Sequence, residues 1–455
     1  MATNRLFEVL TVTAAAVIMI VILFVPPAVG LADGGDFPKV TRAFDMDAVA
    51  PENDDRWFKY IFLDYKFDPN WHWWGGFPTS EMLLLMAAIG INRFVAKPGM
   101  FDLRVIGAVH AAVFLVALAL FLPLLRRAPP LRRTTLILAA LLVFCDVGYV
   151  SYYNSFYMDA PAFLFLLLTI VFFLRMYSVD VASRFDRAGF LVACVLFVTA
   201  KSQHSLAGLL IAGLLVWQRH YKSAIGIAAL SIFWMAQLPP DYADMARFNV
   251  IFFQILPNSQ NRSRDLAELG LDDSYLSKVG MMGYDARSGM EDPKYHETFG
   301  KRASVPRLAL YYARHPSQAT RLIMIGLKDA SGQRARMGNY DRRAGKPPYA
   351  QSYTFSLWSS LKQRIFDTHG ALYGAYCAAL CLAMPVLAWR CGGKRRLIWT
   401  AGAMVIVMMT AMALLIACLA DGVDFLRHLF LFNVCIDLLM VGSIGALVST
   451  SRPAL

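Results

Sequence analysis

The chain has 455 residues, 57% of them hydrophobic, a mean hydropathy of +0.47 and a formal net charge of +12. Apolar runs near the roughly 20 residues needed to cross a bilayer recur along it, continuous and rich in Leu and Ala, which excludes a soluble enzyme with one anchor and a transmembrane β-barrel. The positive charge reads as cytoplasmic anchoring rather than a nucleic-acid footprint, and the seven scattered cysteines show neither metal spacing nor a disulfide framework.

The first span is expected over residues 7–29. Arg5 before it and the small residues at 28–32 resemble a signal peptide, but the run is long for one, so an uncleaved span is expected. Residues 31–40 (LADGGDFPKV) then place two carboxylates, Asp33 and Asp36, among Gly30, Gly34, Gly35 and Pro38 as the chain leaves the membrane. Such residues bend the backbone and leave room for close approach. The polar stretch to about residue 78 holds Asp45-Met46-Asp47, with the spacing of a metal-binding DxD but read as solvated surface. It also holds Trp71, Trp73 and Trp74, read as an interfacial belt ahead of sugar stacking. Residues 79–95 are apolar but short and contain Glu81 and Arg93, so a re-entrant or interfacial helix is expected.

Spans two to four are expected over 102–125, 134–149 and 160–177. Residues 188–217 are broken by Lys201-Ser202-Gln203-His204. One helix would bury Lys201 near mid-membrane, which is costly. Two short helices put the tetrad at the outer surface and leave the basic loops 126–133, 175–187, 219–222 and 390–396 on the side of the N-terminus, as the positive-inside rule favours. Span seven follows at 223–238. A long outer segment, 239–366, holds amphipathic pieces such as 307–328 and a flexible loop at 331–349. Spans eight to ten are expected over 370–389, 397–419 and 429–448. The expected fold is an all-α integral membrane protein of about ten transmembrane helices, with short interfacial helices in its outer loops and both termini cytoplasmic. It divides into a membrane module (1–238) whose first outer loop (31–100) is catalytic, the outer region 239–366, and a three-helix module (367–455).

On this topology the outer face gathers Asp33, Asp36, Asp45, Asp47, Asp159, Lys201, Gln203, His204, Asp421, Asp424, Arg427 and His428. A carboxylate there can take a proton from a hydroxyl, and cations opposite it can neutralise a phosphate. Base, anion site and membrane access together fit glycosyl transfer from a lipid-phosphate sugar. Asp159 also has a purely structural reading, as a helix N-cap ahead of Pro161. A lipid-linked saccharide transporter or flippase would need polar residues through the spans and usually a repeat, whereas the spans are largely apolar and the charges crowd at one surface. A surface-polysaccharide polymerase or ligase shares the substrate class; a ligase would release polyprenyl diphosphate.

The ordered set GGDFPKV after span one, YYNSFYMDAPA before span four, TAKSQH at the short pair and DGVDFLRHLFLFN before span ten resembles the GT-C superfamily of multi-span glycosyltransferases, which use polyprenyl-phosphate-linked sugars. The outer segment, with NVIFFQILPNSQNRSRDLAELGLDD (249–273) and YYARHP (311–316), is similar to a subgroup of bacterial cell-surface glycan enzymes, and the general plan covers nearly the whole chain. The resemblance implies Asp36 as catalytic base and Asp159 as a second acidic position that many relatives fill with Glu. It implies Lys201 and Arg427 facing the lipid-linked phosphate, Gln203, His204 and His428 as polar neighbours, and Asp33 beside them. It implies a polyprenyl-phosphate sugar donor, a glycan, lipid or protein acceptor, and a bacterial inner-membrane location with the site facing the periplasm. No cofactor or nucleic-acid partner is expected; a divalent metal is left open, with none as the expectation.

Overall fold

The computed structural model describes residues 2–50, 53–68, 77–178, 181–237, 240–367 and 369–450. The Trp71, Trp73 and Trp74 cluster lies outside the described residues. Helices stand at every expected span: Ala2–Leu23, Leu103–Phe121, Pro130–Phe144, Asp159–Ser178, Arg184–Val198, Ser202–Trp217, Tyr221–Ala236, Gly370–Cys391, Arg396–Ile416 and Phe430–Thr450. Six helices are long and apolar enough to cross a membrane, or seven if Pro130–Phe144 and Val147–Tyr153, bent by 47°, form one span. By length and composition the structure therefore supports six or seven crossings among the described residues, not ten. Ser202–Trp217 and Tyr221–Ala236 have 16 residues each, which is about 24 Å of helix against roughly 30 Å of hydrocarbon.

The bundle is closed around Asp159–Ser178, whose first nine residues are all buried. Its upper end rests on an aromatic layer supplied by one short stretch. Tyr149, Tyr152, Tyr153, Phe156 and Tyr157 are all at most 1% exposed. Tyr149 stacks on Phe163 at 5.2 Å, and Phe430 meets Tyr149 edge-on at 5.6 Å. Large rings dominate burial energetics, so this layer is a rigid floor.

The two ends of the bundle differ in charge. At one end Arg126 pairs with Glu8 at 2.5 Å and Arg395 Nη1 donates to the Tyr177 carbonyl at 2.6 Å. The carboxylates of the candidate site gather at the other. Residues 188–217 form two helices, as expected, with the break at Thr199–Lys201. The short helix Glu81–Asn92 seals that break: Thr79 Oγ1 donates to the Ala200 carbonyl at 2.6 Å and the Ser80 N–H to the Thr199 carbonyl at 3.1 Å.

Three features depart from the sequence reading. A small antiparallel sheet, β1 (Asp47–Ala48), β2 (Asp64–Lys66) and β3 (Met100–Asp102), ties the first polar segment together in the order β1-β2-β3; strands of two or three residues are too short to show alternation. The loop at 331–349, expected to be flexible, is laced into that segment. Ala32 N–H bonds the Gly338 carbonyl at 3.0 Å and Gly338 N–H bonds the Phe58 carbonyl at 2.8 Å. A Cβ on Gly338 would lie 1.9 Å from the Lys59 carbonyl oxygen, so only glycine permits the approach. Two charged pairs are also buried away from solvent. Glu81 and His110 meet at 3.1 Å, and Lys362 and Asp437 at 3.4 Å, all fully buried. Beyond the bundle, Phe248, Phe252, Phe299, Tyr311 and Leu322 form a second apolar core within the long segment.

Candidate functional site

The site begins in the turn after the first helix. Asp33 Oδ1 accepts the N–H groups of Gly35 at 2.7 Å and Phe37 at 3.2 Å. This closes an Asx-type turn, and it needs Gly35 at φ +100°, where a side chain would be strained. The Gly34 N–H donates to Tyr157 Oη at 2.6 Å, and that hydroxyl donates onward to the Ala32 carbonyl at 2.9 Å. Phe37 packs edge-on against Phe156 and Tyr157 at 5.4 and 4.9 Å. Asp36 is thus held between two anchored neighbours.

The Asp36 carboxylate meets Lys39 Nζ at 2.5 Å and is in direct contact with Arg427 Nη1. Arg427 comes from the short helix Phe425–His428. Its Nε donates to Asp424 Oδ2 at 2.8 Å and its guanidinium lies over the Tyr157 ring at 5.1 Å. Arg427 Nη2 also approaches His428 Nε2 at 3.2 Å, while His428 Nδ1 meets Asp421 Oδ2 at 2.7 Å. Asp421 Oδ2 further accepts from Gln203 Nε2 at 3.1 Å. Beside this chain, Lys201 Nζ donates to both Asp159 oxygens at 2.8 and 3.0 Å, with both side chains buried. Lys201 is an electrostatic neighbour of Asp424, and Tyr152 of both Asp159 and Asp424, so the two pairs form one cluster.

The structure therefore brings together Asp33, Asp36, Asp159, Lys201, Gln203, Arg427 and His428. Asp159 does not use its carboxylate as a cap; both oxygens go to Lys201. His204 neighbours Lys201, but its ring turns away from the chain of bonded groups. It stacks on Phe197 at 6.0 Å, and its Nδ1 has no hydrogen-bond partner among the described residues. One residue beyond Gln203 is a turn of about 100° around the helix, which points His204 at the neighbouring helix instead. Asp47 of the DxD pairs with Arg56 at 2.7 Å, and Arg56 lines a small pocket together with Asp33. Among the described residues no group of three His, Cys, Asp or Glu side chains is arranged as metal ligands. The sequence reading missed Tyr157, whose signal was its place in the aromatic run before Asp159.

Burial shifts the titration of the cluster. It raises Asp33 from its ordinary 3.8 to about 6, against the two backbone hydrogen bonds that lower it. Burial likewise raises Asp424 to about 6, with His428 opposing and Asp421 reinforcing the shift. Arg427 is lowered by burial to about 10 and stays charged at neutral pH. For Asp33 the folded chain binds its proton more tightly than the unfolded chain does. Its contribution to stability is therefore greatest below pH 3.8, falls as pH rises towards about 6, and is flat above. At 1.36 kcal/mol per unit the loss is about 3 kcal/mol. Asp33→Asn keeps an oxygen for both N–H groups without the charge. It is expected to melt higher than wild type at pH 7.5, with the gap narrowing at pH 4.5; equal melting curves at pH 7.5 would refute the burial account.

The YfdI N-terminal transmembrane domain family model matches residues 2–452. The chain belongs to this family. Membership covers the whole bundle and the long segment 239–366, so the membrane protein class rests on the family as well as on the apolar helices. No curated protein and no solved structure matches the chain. The chemistry of this YfdI-type domain must therefore be argued from its own cluster.

Proposed function

We propose that the protein is a membrane glycosyltransferase. It moves a sugar from a polyprenyl-phosphate donor to an acceptor hydroxyl at the outer face of a bacterial inner membrane. The observation supporting this most directly is the contact between Asp36 and Arg427, with Lys201 and Asp159 in the same cluster. It puts a carboxylate able to take a proton beside a cation able to hold a departing phosphate, with a second cation close by, and a displacement at the anomeric carbon needs both functions in one site.

Asp36 removes the acceptor proton as the acceptor oxygen bonds to the anomeric carbon. The bond from that carbon to the phosphate oxygen breaks, and polyprenyl monophosphate leaves with its charge held by Arg427 and Lys201. Asp36 occupies Arg427 in the free protein, so an arriving phosphate competes for the guanidinium and frees the base. Tyr157 holds Arg427 from below and pins Gly34 at the same time, which keeps base and cation in register.

The test is turnover by the full chain in nanodiscs, supplied with short-chain polyprenyl-phosphate hexoses and a mixed glycan acceptor pool. Polyprenyl monophosphate and a glycosylated acceptor are the expected products. Polyprenyl diphosphate from diphosphate-linked saccharides would instead assign a ligase or polymerase. Arg427→Lys is expected to lower kcat/KM for the donor about ten- to a hundredfold. A lysine carries the charge but lacks the planar fork that reaches Asp36 and Asp424 together. An unchanged value would remove Arg427 from the phosphate site.

A further inference from the structure

The long segment does more than cover the bundle. Its π-helical stretch Asn249–Ile255 lies directly against the turn that carries Asp421 and Asp424. Gln254 Nε2 donates to the Gly422 carbonyl at 2.7 Å, and a Cβ on Gly422 would meet the Val250 backbone at 2.9 Å. From this frame the segment presents aromatic rings to the cluster. Tyr242 sits under Lys39, whose Nζ is 4.1 Å from the ring centre, and Phe77 meets Tyr242 edge-on at 4.9 Å. Lys39 therefore touches the candidate base on one side and an aromatic pair on the other.

Tyr284 completes the set. Tyr284 is 69% exposed as a residue, and Lys39, Asp421, Asp424 and Tyr242 are its electrostatic neighbours. Among the described residues no ring packs on it and its hydroxyl has no hydrogen-bond partner. Its backbone is nevertheless fixed. The Gly283 N–H donates to Asn249 Oδ1 at 2.7 Å, and Ser288 Oγ donates to the Gly283 carbonyl at 2.8 Å. An open aromatic face on a pinned backbone loses little freedom when something stacks on it.

We propose that this rim is an acceptor subsite for a saccharide, with the sugar ring lying on Tyr284 against Tyr242 and Phe77 and its hydroxyls meeting Lys39, Asp421 and Asp424. The proposal rests on the glycosyltransferase reading and narrows its acceptor. A pyranose offers both surfaces the rim needs, a flat C–H face for the rings and several hydroxyls for the charged groups. A serine or threonine side chain has one hydroxyl and no flat face. A lipid chain gains nothing beside two carboxylates and an ammonium.

Saturation-transfer NMR on the full chain in nanodiscs tests this without a donor. The probes are methyl β-D-glucopyranoside, methyl β-D-galactopyranoside, methyl α-L-rhamnopyranoside and methyl N-acetyl-β-D-glucosaminide, with acetyl-Ser-Thr-Ser-amide as the peptide control. At least one glycoside is expected to show saturation on its ring protons. Tyr284→Ala should cut that signal at least fivefold, and Tyr284→Trp should keep it. Tyr242→Leu, which retains bulk but no aromatic face, should weaken it. Absence of ring-proton saturation for all four glycosides, the same signal in Tyr284→Ala, or a stronger signal from the peptide would each overturn the subsite. Failure of the glycosyltransferase reading shows elsewhere, as neither polyprenyl monophosphate nor a glycosylated acceptor formed from any of the polyprenyl-phosphate hexoses.

Discussion

Asp36→Asn is expected to lower sugar transfer by about a hundred- to ten-thousandfold, the usual range for a general base, while donor half-saturation moves only a few-fold. The amide has the shape of the carboxylate, and its oxygen can still face Arg427 and Lys39. What it cannot do is accept the proton of the acceptor hydroxyl. The anchors around the position do not depend on its charge. Phe37 stays wedged between Phe156 and Tyr157, and Gly34 stays bonded to Tyr157. Losing one negative charge also leaves Arg427 paired with Asp424. Loss of turnover with an unaltered melting temperature would place Asp36 in the chemistry. Transfer within tenfold of wild type would remove it, and Asp424, on the same guanidinium, would be the next residue to replace. A variant that both melts early and fails to turn over would mark Asp36 as a clasp for Arg427 instead of a base.

Much of this cluster was legible because polar residues in an apolar chain are conspicuous. Asp36, Asp159, Lys201 and Arg427 each stand at the edge of a hydrophobic run, and edges on one side of a bundle converge. Lys201 was readable for a further reason: only a helix break could keep it out of the hydrocarbon, and the break is there. What stayed hidden has physical causes. One aspartate in an apolar run of 21 residues barely changes hydropathy, so Asp437 passed unnoticed inside the last helix. Its partner Lys362 lies 75 residues earlier in sequence, and no local pattern links them. His204 was grouped with Gln203 by adjacency, although consecutive residues of a helix face different ways. The ordering of 331–349 depends on backbone bonds to residues 30–32 and 58–59, which glycine-rich composition conceals. Span count is less legible than span position for a quantitative reason: apolarity identifies the segments, but crossing depends on length.

The second large effect is expected at Lys362 and Asp437, as a stability cycle. Both side chains are fully buried. Lys362 Nζ reaches Asn433 Oδ1 at 3.2 Å as well as Asp437 Oδ1 at 3.4 Å. Asp437 Oδ2 also accepts from Tyr149 Oη at 2.5 Å and Trp358 Nε1 at 2.9 Å. Removing one member of such a pair strands the other charge in a low dielectric and costs about 3–5 kcal/mol. Lys362→Met and Asp437→Asn should each cost about that much. The double variant should cost far less than their sum, because it strands no charge and the asparagine oxygen still receives Tyr149 and Trp358. Unfolding of all four proteins in the same detergent would give the coupling. Additive losses would mean that the charges are not paired in the working protein. The cycle bears on the site as well. Phe430–Thr450 follows Arg427 and His428 immediately, and this network fixes it against Leu357–Phe366 and the Tyr149 floor. Each single variant should therefore also raise donor half-saturation, and the double variant should restore it, since what matters for Arg427 is where the last helix sits and not the buried charge itself.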